Sequence, residues 1–260
     1  MQVFDWNDII DSSKNNSIPA VFQKGTALSV GCFDGIHLGH SLLINSVLQK
    51  AKEKGLSSGI ITFKSNNVKV VNGGELQTLS QKLKIFESKG LSFVVVIDFS
   101  NEFVRIEGHT FLDILYDVFK MRFIAEGQDF RFGYKGKASK DDIVSFAKSK
   151  EIEYDLLPLA VYEDERVSSS LIRTKILQGN FKAAEAMLSR PYEIDYKCVS
   201  SDGKTQQVLP PNGEYKVLVN KSDCAKSAIT SYLKVEDQTL RQGLFLDGIK
   251  DIRTIEFISE

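Results

Sequence analysis

The chain reads as an α/β protein: a parallel sheet wrapped by helices, followed by a small C-terminal β-rich part. Three observations carry that reading. Apolar strand-like runs alternate with helical patterns, as in sheets built from strand–helix–strand units. A turn rich in glycine and histidine, Gly31-Cys32-Phe33-Asp34-Gly35-Ile36-His37-Leu38-Gly39-His40, joins an early strand to a helix. Turn signals then crowd the residues after Tyr192, at Asp202-Gly203, Asn212-Gly213 and Asp247-Gly248, and separate short strand-like stretches.

In chain order the predicted strands are 27–31, 59–63, 93–97, 123–126 and 154–157. After the first, Leu42, Leu43, Val47 and Leu48 recur at helical spacing until Gly55 supplies a stop. Ser80 is the expected cap of a helix ending at Gly90, Thr110 of one running through Val118, and Asp141 the start of one ending near Lys150. Ser168-Ser169-Ser170 opens a further helix that Gly179 closes, and a structural helix follows from Asn180 to Ser189. This divides the chain into a main domain over 1–190 and a smaller one over 191–260. Ligands of such sheets bind beyond the carboxyl ends of the strands. The 31–40 turn, Thr62-Phe63 and the Gly127 to Gly133 loop therefore share one rim.

Composition excludes several classes. The formal net charge is −1, whereas a nucleic-acid binder normally carries a basic surplus. No apolar run reaches the roughly eighteen residues of a membrane span, and Met1 to Trp6 lacks the pattern of a signal peptide. Cys32, Cys198 and Cys224 are odd in number and far apart, which suits free thiols in a reducing cytoplasm. An apolar content of 42% is ample for a packed core.

The 31–40 turn points to phosphate chemistry. Two of the three histidines, His37 and His40, open a helix, whose N-terminus presents N–H groups and a partial positive charge. Gly35 and Gly39 let an anion approach the backbone without meeting a Cβ. The spacing is neither the dinucleotide fingerprint nor a P-loop. It is also a poor metal site, since only His109 remains to complete a ligand set. The plain alternative is a capped helix with two structural histidines. Ser168, Ser169 and Ser170, with Arg173 one turn on, form a second candidate phosphate device, although a serine-rich cap alone is ordinary. In the Gly127 to Gly133 loop, Phe130 and Phe132 share a face and can cover a planar ring, while Asp129 can accept a hydrogen bond. A core strand end would look similar.

Gly31-x-Phe33-Asp34-Gly35-x-His37-x-Gly39-His40 resembles the signature of the nucleotidylyltransferase superfamily, specifically the FAD synthetase half of bacterial bifunctional riboflavin kinase/FAD synthetases. Gly127-Gln128-Asp129-Phe130-Arg131-Phe132-Gly133 resembles that family's flavin-side loop, and Val167-Ser168-Ser169-Ser170-Leu171-Ile172-Arg173 its phosphate-side motif. The likeness runs from about Thr26 to Ile194. It implies a Rossmann-like nucleotidylyltransferase domain and an FMN adenylyltransferase, with ATP and FMN as substrates and FAD and pyrophosphate as products. It implies His37, His40 and Arg173 as catalytic residues, and Gly31, Phe33, Asp34, Gly35, Gly39, Ser168, Ser169 and Ser170 as ATP-binding. Thr62, Phe63, Asp129, Phe130 and Phe132 are expected at the flavin, with Phe132 stacked on its ring. Magnesium is expected with ATP, with no dedicated protein metal site, and Asp34 as a turn-stabilising residue. No nucleic-acid or membrane partner is expected, and the sequence gives no oligomeric state.

Two departures from the family matter. Its Pro-His-Pro element after the second strand is replaced by Lys64-Ser65-Asn66-Asn67, and the kinase half's Gly-Phe-Pro-Thr-Ala-Asn segment is absent. Residues 191–260 are thus expected to be a shortened β-barrel relic without riboflavin kinase activity, covering an edge of the main domain. On that reading a truncation near Glu193 retains the site. The alternatives are a bifunctional enzyme, another nucleotidylyltransferase, or a non-catalytic flavin or nucleotide carrier.

Overall fold

The computed structural model describes residues 1–64, 74–98, 102–221, 228–241 and 251–259. Two compact units divide the chain: Met1–Phe33, Gly39–Asn67 and Leu83–Leu159 form the first, and Asp34–Leu38, Val68–Lys82 and Ala160–Glu260 the second.

The first unit is built on six parallel strands, β1 (Gln2–Asp5), β2 (Thr26–Val30), β3 (Ser57–Phe63), β4 (Phe93–Ile97), β5 (Met121–Gly127) and β6 (Glu153–Leu157), in the order β1-β4-β3-β2-β5-β6. Every residue of β2 and β4 is buried. β4, Phe-Val-Val-Val-Ile, accordingly reads as continuously apolar rather than alternating, while β2 buries Thr26 and Ser29 within its run. Five of the six strands fall where the periodicity places them. β1 and the helix after it, α1 (Trp6–Lys14), do not: β1 has four residues, lies at the sheet edge and leaves Val3 50% exposed, so it carries little apolar signal. Gly59 is required by packing, since a Cβ there would lie 2.1 Å from the Phe93 ring.

Strands β3 and β4 extend outward from one side of β2, and the chain then returns to β2's other side as β5. This reversal makes the carboxyl ends of β2 and β5 a topological switch point, where α/β sheets bind ligands. The crossover helices are α2 (Leu38–Lys54), α3 (Leu79–Ser88), α4 (Gly108–Asp117) and α5 (Lys140–Lys150). Their caps differ from expectation by up to three residues. Thr78, not Ser80, opens α3: its Oγ1 accepts from the Gln81 N–H, and Gln81 Oε1 accepts from the Thr78 N–H. Glu107 precedes α4 without a side-chain cap, and Ser139 with Asp142 forms a capping box ahead of α5.

In the second unit, α6 (Ser169–Leu177) and α7 (Phe181–Leu188) precede a five-stranded antiparallel sheet. Its strands are β7 (Glu193–Asp195), β8 (Gly213–Asn220), β9 (Ile229–Glu236), β10 (Thr239–Arg241) and β11 (Thr254–Phe257), in the order β7-β11-β8-β9-β10. Alternate residues Val217, Val219, Leu233, Val235, Ile255 and Phe257 are buried in one apolar cluster with residues of α6 and α7. The expected α/β fold with a small C-terminal β-rich part is therefore observed. Residues 74–78 join this unit as well. The Glu75 N–H donates to Gln206 O at 2.8 Å, the Val208 N–H donates to Glu75 O at 2.9 Å, and Gln207 Nε2 donates to Leu76 O at 3.1 Å.

Candidate active site

The turn after β2 is conformationally costly. Phe33, Gly35 and Ile36 have φ of 48°, 87° and 38°, in the left-handed region that bulky and β-branched residues avoid. Glycine is needed at 35 for space too, since a Cβ would lie 2.8 Å from Leu76 Cδ1 and 3.2 Å from Leu188 Cδ2. Ile36 is only 1% exposed, so its strained backbone is over-determined by packing. Arg190 holds the same residues. Its Nη1 donates to Ile36 O at 3.1 Å and to Leu188 O at 2.9 Å, and its Nη2 donates to Gly35 O.

Asp34 and Arg173 form a buried ion pair through Arg173 Nη2. Asp34 Oδ1 also accepts from the N–H groups of Leu76 and Gln77 at 3.0 and 3.2 Å, while Arg173 Nε donates to Gly74 O at 2.8 Å. Burial pushes the Asp34 carboxyl above its ordinary value, and Arg173, Lys82 and the two N–H groups pull it back. Asp34 is thereby a turn-building residue. Ser169 Oγ donates to Asp34 O at 2.8 Å, and Ser168 Oγ accepts from the Leu171 N–H at 3.1 Å as the cap of α6. Ser170 is exposed. The second unit thus brings Asp34, Ser169 and Arg173 together beside the turn that carries His37.

His37 is 7% exposed, and its pKa is lowered to about 4, first by burial and then by the Arg190 and Arg166 guanidiniums. At neutral pH it is an uncharged imidazole, able to donate one hydrogen bond without carrying a proton in excess. His40, three residues on, lies in the first turn of α2. Its ring sits 5.0 Å from Phe33, which is fully buried and edge-on to Phe86 at 5.6 Å.

In the first unit the ends of β2 and β5 are tied by a residue that sequence reasoning left as an ordinary strand position. Glu126 is 1% exposed, and its Oε1 accepts from the Val30 N–H at 2.7 Å. Burial holds its carboxyl well above the usual range. The β2–β5 register ends at Leu28↔Ile124, so this side chain satisfies the N–H where the two backbones part. On the other flank, Gly31 donates its N–H to Ile61 O at 3.0 Å and Thr62 Oγ1 donates to Cys32 O at 3.2 Å. Phe63 lies edge-on to Phe103 at 5.8 Å. The Pro-His-Pro replacement begins at Lys64, and its Ser65, Asn66 and Asn67 lie outside the described residues, as do Cys224 and Asp247-Gly248.

The loop after β5 makes a tight turn, with the Phe130 N–H donating to Gly127 O at 3.0 Å. Phe130 and Phe132 are stacked, 5.4 Å apart and 13° from parallel, as their spacing suggests. Phe132 is 7% exposed and contacts Phe111, so it is the core partner of the pair, whereas Phe130 is half-buried and Asp129 exposed. Gly133 has φ 71°, and a Cβ there would lie 2.5 Å from Gly108 N. Lys135 and Lys137 sit over the Tyr134 ring at 5.2 and 5.8 Å.

Among the described residues no three His, Cys, Asp or Glu side chains are grouped to hold a metal, and no helix is long and apolar enough to cross a membrane. Arg190 and Glu126 are the positions that sequence reasoning missed. Their only sequence signal is a polar residue at an element's end: an arginine between a helix stop and Pro191, and a glutamate closing a strand of Phe123, Ile124 and Ala125.

Residues 20–171 match the family described as FAD synthetase. The bifunctional riboflavin kinase/FMN adenylyltransferase of Escherichia coli (strain K12) is 26% identical over 218 residues, covering 76% of this chain and 69% of the relative. The protein of the same name from Bacillus subtilis (strain 168) is 27% identical over 218 residues, covering 75% and 67%. Among solved structures, that of a macrolide-efflux protein from Streptococcus pneumoniae matches in fold, with TM-score 0.77 and 19% identity over 100% of this chain and 91% of that one.

Proposed function

The chain belongs to the FAD synthetase family, and on that premise we propose that it is an FMN adenylyltransferase, joining ATP and FMN into FAD with release of pyrophosphate. The observation that carries the reading is the 31–40 turn. It lies within the family match and combines a strained, multiply braced backbone with a neutral buried histidine at the start of a helix.

An FMN phosphate oxygen attacks the α-phosphorus of ATP in line, and the bond from that phosphorus to the oxygen leading to the β-phosphate breaks. No covalent enzyme intermediate is required. The protein's task is to position two anions and to offset charge on the equatorial and leaving oxygens. His37 donates from its neutral ring to an ATP phosphate, and His40 to the developing pentavalent α-phosphate. Backbone N–H groups of the turn, with Gly31, Gly35 and Gly39 giving close approach, hold further oxygens. Phe33 and Asp34 shape that turn from beneath. Ser168, Ser169, Ser170 and the start of α6 serve the leaving pyrophosphate. Arg173 keeps Asp34 in place and has donors left over for the same group. Thr62, Phe63, Asp129, Phe130 and Phe132 form the flavin side, where Phe130 presents a ring backed by Phe132. Asp34 is committed to four donors across its two oxygens and its carbonyl, so the residues present do not build a protein-held magnesium site. Magnesium enters as the Mg·ATP substrate.

We assign the reacting groups of the transferase to residues 1–190 and no kinase activity to 191–260, and we place the reaction in the cytoplasm. Incubating the pure protein with ATP, magnesium and either FMN or riboflavin, and resolving the flavins by chromatography, tests this. FAD should form from FMN. FMN that stays unchanged while another phosphorylated acceptor is adenylated would refute the flavin assignment.

A further inference from the structure

We propose that Arg190 is a positioning residue for the nucleotide: its guanidinium, clamped on the carbonyls of Gly35 and Ile36, turns the N–H groups of the same two peptide units, those of Ile36 and His37, toward the bound phosphates. The inference rests on the nucleotide reading above and adds a residue to it. In a trans peptide the C=O of one residue and the N–H of the next point in opposite directions. With Gly35 O and Ile36 O both aimed at Arg190, the N–H groups of Ile36 and His37 are aimed away from it. Two consecutive N–H groups on one side of a turn make an anion-binding concavity. Gly35 at φ 87° and Ile36 at φ 38° are the conformations that this arrangement demands, and a β-branched residue does not hold the second unaided.

Charge points the same way. Unit two places two arginines beside the turn, Arg173 buried and Arg190 half-buried, and they are differently committed. Arg173 is neutralised by Asp34. Arg190 is bound by three carbonyl oxygens, those of Gly35, Ile36 and Leu188, and no described carboxylate forms an ion pair with it. Its nearest acidic influence is Glu193, and burial lowers its pKa to about 10. A half-buried guanidinium held by neutral carbonyls keeps its full charge and favours an anion nearby. A ligand phosphate at the turn supplies one, and the cation meanwhile favours the neutral form of His37. The charged groups acting on His37 are Arg190 and Arg166.

A purely structural Arg190, tying the end of α7 to the turn, would affect stability and leave the rest untouched. The test uses the full chain with Arg190→Gln and Arg190→Lys, reading the His37 ring by NMR titration without nucleotide, and kcat and KM for Mg·ATP and FMN. In the parent protein His37 should stay neutral down to about pH 5. Arg190→Gln should move its titration toward the ordinary histidine range and lower kcat/KM for Mg·ATP by about ten-fold or more, with KM for FMN changed less than about two-fold. Arg190→Lys, which keeps the charge and loses the fork, should leave the His37 titration low and still lose about five-fold or more in kcat/KM for Mg·ATP. A folded Arg190→Gln with both readouts unchanged overturns the proposal. If Arg190→Gln does not fold, Arg190→Lys decides: full kcat/KM with Mg·ATP overturns it, and the selective loss upholds it. A parent protein that makes no FAD would sink the transferase reading, while the His37 titration would still report on the clamp.

Discussion

His37 is neutral at physiological pH because its ring is buried beside two guanidiniums, which lowers its pKa to about 4 from the 6.5 of a free histidine. As pH falls below 6.5 the unfolded chain takes up a proton that the folded chain refuses until about 4, so the His37 contribution to stability is full above 6.5 and is lost toward 4. At pH 5 the loss should be about 2 kcal/mol. Urea unfolding at pH 7 and pH 5 measures it, and His37→Gln should flatten that difference; an equal difference in the variant would contradict the assignment. Arg173→Ala should cost about 3–5 kcal/mol, because it strands the buried Asp34 charge. A loss under about 1 kcal/mol by chemical denaturation would show that the pair matters little. His40→Ala should lower the rate of the chemical step by roughly a hundred-fold, with FMN affinity little changed. Equal losses in rate and binding would make His40 a structural residue. The residue types and spacing of His37 and His40 were legible in the sequence. Arg190 and Glu126 were not, because what marks them is a partner distant in the chain: Gly35 and Ile36 for one, the Val30 N–H for the other.

At the scale of elements, β3, β4 and β5 were readable because their burial leaves apolar runs, whereas β2 and the half-buried β6 carry polar residues within shorter ones; Gly55 and Gly90 after α2 and α3 are unambiguous stops. The caps of α3 and α4 were not placed correctly, while α5 begins one residue before its expected start. Several Ser, Thr and Asp residues compete within three positions, and the choice is made by tertiary geometry such as the Thr78 Oγ1 bond to Asp195 Oδ2 at 3.0 Å. The loop after β5 shows the converse case. The Phe130/Phe132 pairing follows from period-two spacing, but which ring joins the core depends on Phe111. This loop is held open by Gly133, whose left-handed conformation and 2.5 Å approach to Gly108 N leave no room for a side chain. Gly133→Ala should therefore weaken FMN binding at least about ten-fold while Mg·ATP binding changes little, as read by calorimetry. Equal weakening of both ligands would show that the loop does not belong to the flavin side alone.

For the whole molecule, the appended β sheet has a larger part than its sequence suggests. Residues 191–260 were expected to cover an edge, yet the second unit contains Asp34–Leu38 together with residues 74–82 and everything after 160. The chain of support is specific. Gln207 Oε1 accepts from the Asp195 N–H and its Nε2 donates to Leu76 O; the Leu76 N–H donates to Asp34; and Asp34 holds Arg173. Such a path joins segments over a hundred residues apart and leaves no local pattern to read. A truncation after Glu193 removes Gln206, Gln207 and Val208, and it should abolish Mg·ATP binding rather than spare it. Retained affinity in the truncated protein would mean that the turn stands without the sheet. The central claim remains adenylyl transfer to FMN, and phosphorus NMR of the full chain with Mg·ATP and FMN tests it most directly. The account predicts that the FMN monophosphate signal is replaced by the diphosphate of FAD, with one pyrophosphate released for each FAD formed. ADP appearing in place of pyrophosphate, or an FMN signal that persists while ATP is consumed, would contradict it.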